Sequence, residues 1–507
     1  MRHGSGKDIH IMGKNLNTLV KILEAEGLII EMSEDAWGVC VEGITDNSKE
    51  AENESLFVCK GAAFKAEYLG EAIDRGTAAY ISEIRYTESV PYLLVSDIRR
   101  AMALAGRWFY GFAGDTLTKV GVTGTKGKTS CVTILSDVMR AHGREVAEFT
   151  THSIRIGSRE SESALTTPEP LELQEYFREA VDAGIDYVAM EISSQAMKMN
   201  RVYGERYRVG IFLNIEEDHI SPAEHADMEE YLACKVAMFR QCDTVIINRD
   251  TNMYDRVRAA VPEDVKVILF GQKQYDHDPA DAQIGNVQMG MPGLTFDLSY
   301  RGRTDTIHTN LVGRFNAENI TAAALAALEL GVDIDIVKSS VQELFIPGRL
   351  NLIEANGRHV IIDYAHNHMS YDRLFRTVRS IYPTARLTAM VGAVGDKAFG
   401  RRREAGQMTN VYADRVVITE QDSGGEHPAK IGSEIARYVN KPCKIVPRRE
   451  AAIRYILDKS DPGDVIVLTG KGAEKTLRVG RNSVRPYAGD LEVVKAWLRT
   501  DMTIDAK

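Results

Sequence analysis

At 507 residues the chain exceeds what one hydrophobic core covers and reads as about three domains. Its 44 % hydrophobic and 26 % charged residues are ordinary for a globular enzyme, and a net charge of −10 without a long basic run argues against a nucleic-acid partner. Six scattered cysteines with no CxxC pair argue against a zinc site or a disulfide framework and fit a reducing cytoplasm. No stretch approaches the roughly 18 apolar residues of a membrane helix, and the N-terminus lacks an apolar signal core. We expect a cytoplasmic monomer without a membrane span.

Met1–Lys14 is polar and expected to be disordered. The first expected domain is 1–115. Leu16–Ala25 has helical periodicity; Trp37–Val41, Ser55–Cys59, Ala78–Ile81 and Tyr92–Val95 read as short strands. Asp46-Asn47-Ser48-Lys49-Glu50 is a polar turn, and Leu56–Ala62 runs into a second one. Ser48 and that second turn offer hydroxyl and backbone donors to a diphosphate, although an ordinary surface turn has the same residue types. A helix from Asp97 to Tyr110 leads to Gly111–Thr116, a plausible boundary.

The second expected domain, 116–346, carries the strongest local signal. A strand at Leu117–Val120 runs into Gly121-Val122-Thr123-Gly124-Thr125-Lys126-Gly127-Lys128-Thr129-Ser130, and apolar residues at helical spacing follow in Cys131–Met139. Strand, glycine loop and helix bind nucleotide triphosphates: backbone N–H groups of Gly124 to Ser130 face the phosphates, Lys128 reaches the β and γ phosphates, and the Thr129 hydroxyl reaches Mg²⁺. The strict pattern wants glycine at 122, where valine stands, so this is a variant loop.

Further on lie Thr166-Thr167-Pro168-Glu169 and a helix over Leu171–Ala183, then a buried-looking strand, Tyr187–Met190, ending in Glu191-Ile192-Ser193-Ser194. A carboxylate at the C-terminal end of a parallel strand suits a Mg²⁺ ligand, which is the role expected of Glu191; a helix-N-terminal carboxylate is the alternative. A strand at Val209–Leu213 runs into Asn214–His219, with His225 beyond it. His219 reads as a second metal or phosphate contact, against the ordinary structural histidine. Lys235 falls on a helical segment, Met228–Cys242, where a solvated lysine would be unremarkable. Thr244–Asn248 is a strand, and Gly313–Asn319 opens an alanine-rich helix, Ile320–Leu330. Asn316 there serves either an adenine edge or a helix cap.

The third expected domain, 347–507, starts at the linker Pro347-Gly348-Arg349. Four strands, Val360–Ile362, Leu387–Val391, Arg415–Thr419 and Val465–Leu468, each end in polar residues. Those ends are Asp363-Tyr364-Ala365-His366, Gly392–Lys397, Glu420–Pro428 and Thr469-Gly470-Lys471-Gly472-Ala473-Glu474. Polar residues at successive strand ends are how an open parallel sheet presents a ligand crevice.

Taken in order, Gly124–Thr129, Glu191–Ser194, Asn214…Asp218-His219, Gly313…Asn316…Asn319, Pro347-Gly348-Arg349, Asp363–His366 and Thr469–Gly472 resemble the motifs of Mur ligases, over nearly the whole chain from about residue 16. Leu56–Lys65, Ala164–Glu169 and Gly470–Ala473 are similar to the third-residue-adding ligases, in particular their lysine-adding form. The resemblance implies an α/β protein of three domains: a central P-loop doubly wound sheet, a smaller N-terminal α/β domain for the uridine nucleotide, and a C-terminal Rossmann-like α/β domain for the amino acid. It implies ATP and Mg²⁺ as cofactors, and UDP-N-acetylmuramoyl-L-alanyl-D-glutamate and a free amino acid as substrates, in peptidoglycan precursor synthesis.

By motif, Ser48 contacts the uridine nucleotide; Thr166, Thr167, Ser193 and Arg201 hold the muramoyl-dipeptide part. Lys128, Thr129, Glu191 and His219 serve ATP and magnesium, while Asn316 and Arg349 hold the adenine nucleotide. Lys235 matches the lysine that this family carbamylates. Asp363 and His366 are candidate bases for the incoming amine. Family members that add meso-diaminopimelate carry Asp-Asn-Pro-Arg in the loop after Thr419; aligned on Thr419, Glu426 and Pro428, this chain has Gln421-Asp422-Ser423-Gly424, so Gly424 replaces the arginine that grips the distal carboxylate. L-Lysine is expected instead, its ammonium facing Asp422, Glu426 and Glu474 beside Gly470. Gln421 and Ser423 also depart from the lysine-type Asp-Asp-Pro-Asn, which leaves L-ornithine open. Folylpolyglutamate synthetase would not need the Ser48 domain, and an idle Mur-like binding protein would not need the intact Lys128, Glu191, His219 and Lys235.

Overall fold

The computed structural model describes residues 13–61, 64–218, 220–221, 224–290, 293–480 and 483–504. The expectation for Met1–Lys14 lies outside them except at its end, where Lys14 pairs with Val41 in a two-residue strand. The chain is α/β with mainly parallel sheets. It divides into two compact units: Met1–Ile284 with Leu298–Thr304 and Glu318–Ser339, and Gly285–Asp297 with Asp305–Ala317 and Ser340–Lys507.

Beside the short pairing of Lys14–Asn15 with Cys40–Val41, two larger sheets carry the first unit. The smaller has the order Ile29–Met32, Tyr92–Val95, Ala79–Ser82, Ser55–Val58, Gly43–Thr45, parallel except at the Ile29–Met32 edge. Its three inner strands are buried at every position, which is why each reads as an unbroken apolar run; the half-exposed edges escape that reading. Helix Leu16–Ala25 buries Leu16, Leu19, Val20 and Leu23 and is capped by Asn15. Helix Ile98–Phe109 starts at Asp97, whose side chain accepts from the N–H groups of Arg99 and Arg100. The strand expected at Trp37–Val41 shrinks to Cys40–Val41: Gly38 turns left-handed in mid-run, and Trp37 is left 52 % exposed.

The first eight strands of the larger sheet run in the order Arg159–Glu162, Ser153–Ile156, Val146–Phe149, Tyr187–Glu191, Thr118–Thr123, Tyr207–Phe212, Cys242–Asn248, Lys266–Gly271. From Val146–Phe149 onward these strands are parallel; the first two form an antiparallel hairpin. The chain leaves Thr118–Thr123 for Val146–Phe149, returns beside its start at Tyr187–Glu191, and crosses to Tyr207–Phe212 on the other side. That reversal opens a crevice at the carboxyl ends of the three central strands. Register aligns those ends, pairing Glu191 with Val122 and Phe212 with Thr123. The helix expected over Met228–Cys242 ends at Val236; Ala237–Gln241 tightens to a 3₁₀ turn and Cys242 begins the next strand. Three strands that the sequence reading passes over, Ala282–Met289, Leu294–Tyr300 and Arg303–Thr309, alternate buried with more exposed residues along much of their length.

The second unit is built on the order Asn351–Ala355, Arg358–Ile362, Val465–Leu468, Leu387–Val391, Arg415–Ile418, Cys443–Ile445, parallel after the first antiparallel pair. One face is covered by residues such as Tyr371, Phe375 and Ile435, the other by Ile453, Leu457 and Val494. Covered on both faces, this sheet leaves its strand ends as the place for chemistry. Asn367 and Ser370 form a capping box at helix His368–Ile381, just beyond the first of them.

Candidate active site

The glycine loop leaves strand Thr118–Thr123 at Gly124 and enters helix Lys128–Ala141 at Gly127. The departure from the strict pattern has a simple cause. Val122 is still inside the strand, buried and paired, so the turn needs its glycines only at 124 and 127. At Gly127 the backbone is left-handed (φ +90°), and a side chain there would collide with Asn319 Oδ1.

Asn214, at the end of the neighbouring strand, pins this loop. Its carbonyl accepts from Thr125 N at 2.9 Å, its Oδ1 from Lys126 N at 2.9 Å, and its Nδ2 donates to Lys126 O at 3.0 Å. Lys126 Nζ pairs with Asp218 at 3.0 Å. Thr125 Oγ1 accepts from Glu216 N at 3.0 Å and lies 3.1 Å from the Tyr231 hydroxyl. Ser130 is buried in the first turn of the helix.

Two lysines converge on one carbonyl: Lys128 Nζ and Lys235 Nζ each donate to Gly124 O at 2.9 Å. Lys235 is therefore not the solvated residue that its helical surroundings suggest. It is 2 % exposed, with its ammonium 4.6 Å from the centre of the buried Tyr231 ring. Burial, and after it the positive charge of Lys128, hold its pKa well below the ordinary lysine value.

On the other side of the loop, Glu191 gathers a run of oxygens. Its Oε1 accepts from Thr129 Oγ1 at 2.7 Å and Thr151 N at 2.8 Å, and its Oε2 from Thr151 Oγ1 at 3.0 Å. Thr166 Oγ1 is 3.2 Å from Thr151 Oγ1. Thr167 Oγ1 donates to Glu191 O at 2.9 Å and accepts from Ser193 N at 3.0 Å, while Arg201 Nη1 donates to Thr167 O at 3.2 Å. Ser193 caps helix Ser194–Lys198. Thr129, Glu191, Thr166, Thr167, Ser193 and Arg201 are thus one connected set. Thr151, which joins its two halves, is missed by the sequence reading; its signal is a Thr150-Thr151 pair directly beyond strand Val146–Phe149.

His219 lies outside the described residues. Among the described residues no group of three His, Cys, Asp or Glu side chains could hold a metal. The Thr129 hydroxyl and the Glu191 carboxylate, two hard oxygen donors at hydrogen-bond distance, nevertheless fit Mg²⁺, which takes one or two protein oxygens and completes its shell with water and phosphate. Ser48 sits in the turn after strand Gly43–Thr45. It is buried, not a surface hydroxyl, and donates to Glu71 at 2.7 Å.

In the second unit Asn316 lies in the first turn of helix Phe315–Glu329, not at its cap, and its amide donates to Val312 O at 2.8 Å. The Arg349 guanidinium covers the Tyr364 ring at 4.9 Å. Asp363 accepts from Leu350 N at 2.9 Å and Ala365 N at 2.7 Å, so both its oxygens hold backbone. His366 Nδ1 is 2.8 Å from Tyr364 O; a carbonyl only accepts, so Nδ1 carries a proton, and in the neutral ring Nε2 carries the lone pair.

The acidic residues expected to meet an ammonium already share one. Lys471, 2 % exposed by its side chain, pairs with Asp422 at 3.0 Å and with Glu474, which also accepts from the Tyr364 hydroxyl at 3.0 Å. Asp422 further accepts from Arg478 N at 2.9 Å, and Gly470 O from Gln421 Nε2 at 2.8 Å. Glu426 is held by the buried Arg402 at 2.5 Å, and that hydrogen bond brings its carboxyl down to about 2. Gly424 has φ +56°. A side chain there would meet the flexible ends of Asp396 and Arg478, which can move, so what opposes an arginine at this position is the left-handed backbone.

Comparison with known proteins adds to this geometry. Residues 122–327 match the Mur ligase middle domain, and residues 348–472 the Mur ligase glutamate ligase domain. The chain is 34 % identical over 464 residues to the UDP-N-acetylmuramoyl-L-alanyl-D-glutamate–L-lysine ligase of Streptococcus thermophilus, covering 91 % of this chain and 94 % of that one. In fold it is similar to a solved UDP-N-acetylmuramoyl-L-alanyl-D-glutamate–2,6-diaminopimelate ligase (TM-score 0.68, 22 % identity, 97 % and 100 % of the two chains). It is also similar to the MurF ligase of Thermotoga maritima solved with ADP (TM-score 0.59, 20 % identity, 90 % and 98 %). No helix among the described residues is long and apolar enough to cross a membrane.

Proposed function

This chain belongs to the Mur ligase family, and we propose that it joins L-lysine to the D-glutamate of UDP-N-acetylmuramoyl-L-alanyl-D-glutamate at the expense of ATP, in the cytoplasm and as a monomer. The observation that carries this reading is the connected set from the glycine loop through Thr129, Glu191 and Thr151 to Thr166, Thr167 and Ser193. It links the glycine loop to a run of hydroxyl groups at adjoining strand ends, which supports phosphate and carboxylate recognition side by side. The division of labour follows the domains 1–115 for the uridine nucleotide, with Ser48, 116–346 for ATP, and 347–507 for the amino acid.

A carboxylate is a poor acyl donor because oxide is a poor leaving group. The D-glutamate γ-carboxylate therefore attacks the γ-phosphorus of ATP, ADP leaves, and an acyl phosphate forms. Backbone N–H groups of the loop from Gly124 to Ser130 bind the phosphates, and Lys128 turns from the Gly124 carbonyl to the transferring phosphoryl group. Thr129 and Glu191 would hold Mg²⁺, with His219 in the same role. When bound, that ion offsets charge on the phosphate oxygens. Burial lowers the pKa of Lys235, which favours the neutral amine that carbamylation requires. Thr166, Thr167, Ser193 and Arg201 orient the dipeptide, and Asn316 and Arg349 serve the adenine nucleotide.

The lysine α-amine then attacks the acyl carbon. A tetrahedral intermediate forms and collapses with loss of phosphate. The amine must arrive neutral. With the oxygens of Asp363 committed to backbone, His366 Nε2 is the better base of the two candidates. Asp422 and Glu474 oppose two negative charges to the one on Lys471, which leaves room for the substrate's distal ammonium beside Gly470. The left-handed backbone at Gly424 counts against a diaminopimelate-type arginine.

The test is phosphate release with the nucleotide dipeptide and ATP, offering L-lysine, L-ornithine and meso-diaminopimelate separately. Turnover with lysine alone is expected. Preference for diaminopimelate would overturn the amino-acid assignment, and no turnover with any of them would overturn the enzyme reading.

A further inference from the structure

Arg449 opens helix Arg449–Asp458, and its side chain is wholly buried, as is that of its partner Asp490. Arg449 Nε donates to Asp490 Oδ1 at 2.7 Å and Nη2 to Oδ2 at 2.5 Å, while the Tyr487 hydroxyl donates to the same Oδ1 at 2.5 Å. A buried pair of this kind is weak evidence of stabilisation. Taking both charges out of water opposes their attraction, and apolar residues of similar volume often replace such a pair without loss. What else the guanidinium holds is therefore the informative part.

It holds two backbone carbonyls. Nη2 donates to Thr469 O at 2.7 Å, and Nη1 to Glu420 O at 3.4 Å. These carbonyls lie just beyond strands Val465–Leu468 and Arg415–Ile418, which are not neighbours: Leu387–Val391 runs between them. The sheet's ladder does not join the two ends directly, and Arg449 does. Its own N–H donates to Glu420 Oε1 at 3.2 Å, and Arg485 pairs with that oxygen at 2.7 Å. Gln421-Asp422 follow the first carbonyl and Gly470-Lys471 the second. The two turns then close on each other, Gln421 Nε2 on Gly470 O at 2.8 Å and Lys471 on Asp422 at 3.0 Å. All of these residues belong to the second unit. Holding a carboxylate and two carbonyls at once takes a planar fork of donors, which the single ammonium of a lysine does not supply.

We propose that Arg449 is a positioning residue for the incoming amino acid. Anchored on Asp490, its guanidinium sets the separation of the Gln421-Asp422 and Gly470-Lys471 turns, and with it the length of side chain that fits between them. Being wholly buried, it acts through those turns and not on the substrate itself. The proposal rests on the function given above only for the identity of the amino acid.

Arg449→Met combined with Asp490→Leu exchanges the pair for apolar residues, so the double variant should fold. Arg449→Lys is the second variant; it keeps the charge beside Asp490 and gives up the fork. Tyr487→Phe is the control, since it removes a hydrogen bond to Asp490 and leaves both carbonyl contacts in place. Phosphate release by the full chain is measured with L-lysine and L-ornithine varied in turn at saturating nucleotide dipeptide and ATP, and then with ATP varied. A misplacement of about 1 Å costs as much as ~100-fold, so kcat/KM for lysine should fall about 10- to 100-fold in the double variant and in Arg449→Lys, mostly through KM. The preference between lysine and ornithine should narrow, and KM for ATP should stay. Tyr487→Phe should lower the melting temperature alone. Hydrogen exchange should quicken in the peptides 420–426 and 469–475 of the two Arg449 variants and not in the control. Wild-type kinetics in those variants, an equal loss in KM for ATP, or exchange that quickens evenly over the second unit would overturn the positioning role. A wild-type chain that turns over neither amino acid would overturn the function, and exchange in the two peptides would then decide whether Arg449 holds the turns.

Discussion

Replacing Thr151 by valine keeps the size of the side chain and removes one of three donors that hold the Glu191 carboxylate. The two that remain are Thr129 Oγ1 at 2.7 Å and the Thr151 backbone N–H at 2.8 Å. A hydrogen bond to a charged acceptor contributes about 1.5–3 kcal/mol, and because Thr151 is only half-buried the lower end applies. At 1.36 kcal/mol per decade, ~1.5 kcal/mol is about a tenfold effect. If Glu191 serves the metal and the phosphates, that factor falls on kcat/KM for ATP and raises the Mg²⁺ concentration needed for half-maximal rate. If the amino acid binds in the second unit, KM for lysine stays where it is. The assay is phosphate release with ATP and Mg²⁺ varied in turn at saturating dipeptide and lysine, alongside a melting curve to detect a merely structural loss. ATP and Mg²⁺ profiles that overlay the wild type would refute the reasoning, as would a KM for lysine that rises in step.

Three further substitutions probe the second unit. Gly424→Arg should not create a diaminopimelate ligase: the left-handed backbone costs of order 1–3 kcal/mol, so a lowered melting temperature with no phosphate release on diaminopimelate is expected. Lys471→Met strips the buried counter-ion from Asp422 and Glu474, which are themselves about a quarter exposed. Added L-lysine should then raise the melting temperature of this variant more than that of the wild type, and equal shifts would argue against an ammonium site there. Glu426 titrates at about 2 in the fold against 4.5 when unperturbed, so the unfolded chain takes up its proton first as pH falls. The stability it contributes is whole above pH 4.5 and is lost between there and about pH 2. Denaturant midpoints measured across that window should fall less steeply in Glu426→Gln than in the wild type; parallel slopes would be inconsistent with the Arg402 pairing.

The difference between what the sequence discloses and what it conceals is one of range. The glycine loop is legible because its chemistry is written in ten consecutive residues, and the buried inner strands of the parallel sheets are legible because burial on two faces leaves an unbroken apolar run. Trp37–Val41 misleads for a local reason, since a single left-handed glycine undoes an otherwise strand-like composition. Lys235 misleads for a distant one. Nothing around it on its own helix says that its ammonium will be covered by Tyr231 and set on the Gly124 carbonyl, 111 positions away in the chain. Thr151, Lys471 and Glu169 are hidden in the same way. Each acts by completing the charge or hydrogen-bonding of a residue that sequence reasoning does single out: Glu191, the pair Asp422 and Glu474, and Arg201. A residue that makes chemistry can be recognised by its type and its motif. A residue that sets the charge state or the direction of another is recognised only by who its neighbour is, and so the functional groups of this fold are legible in the sequence while their regulators appear only when the strands are laid side by side.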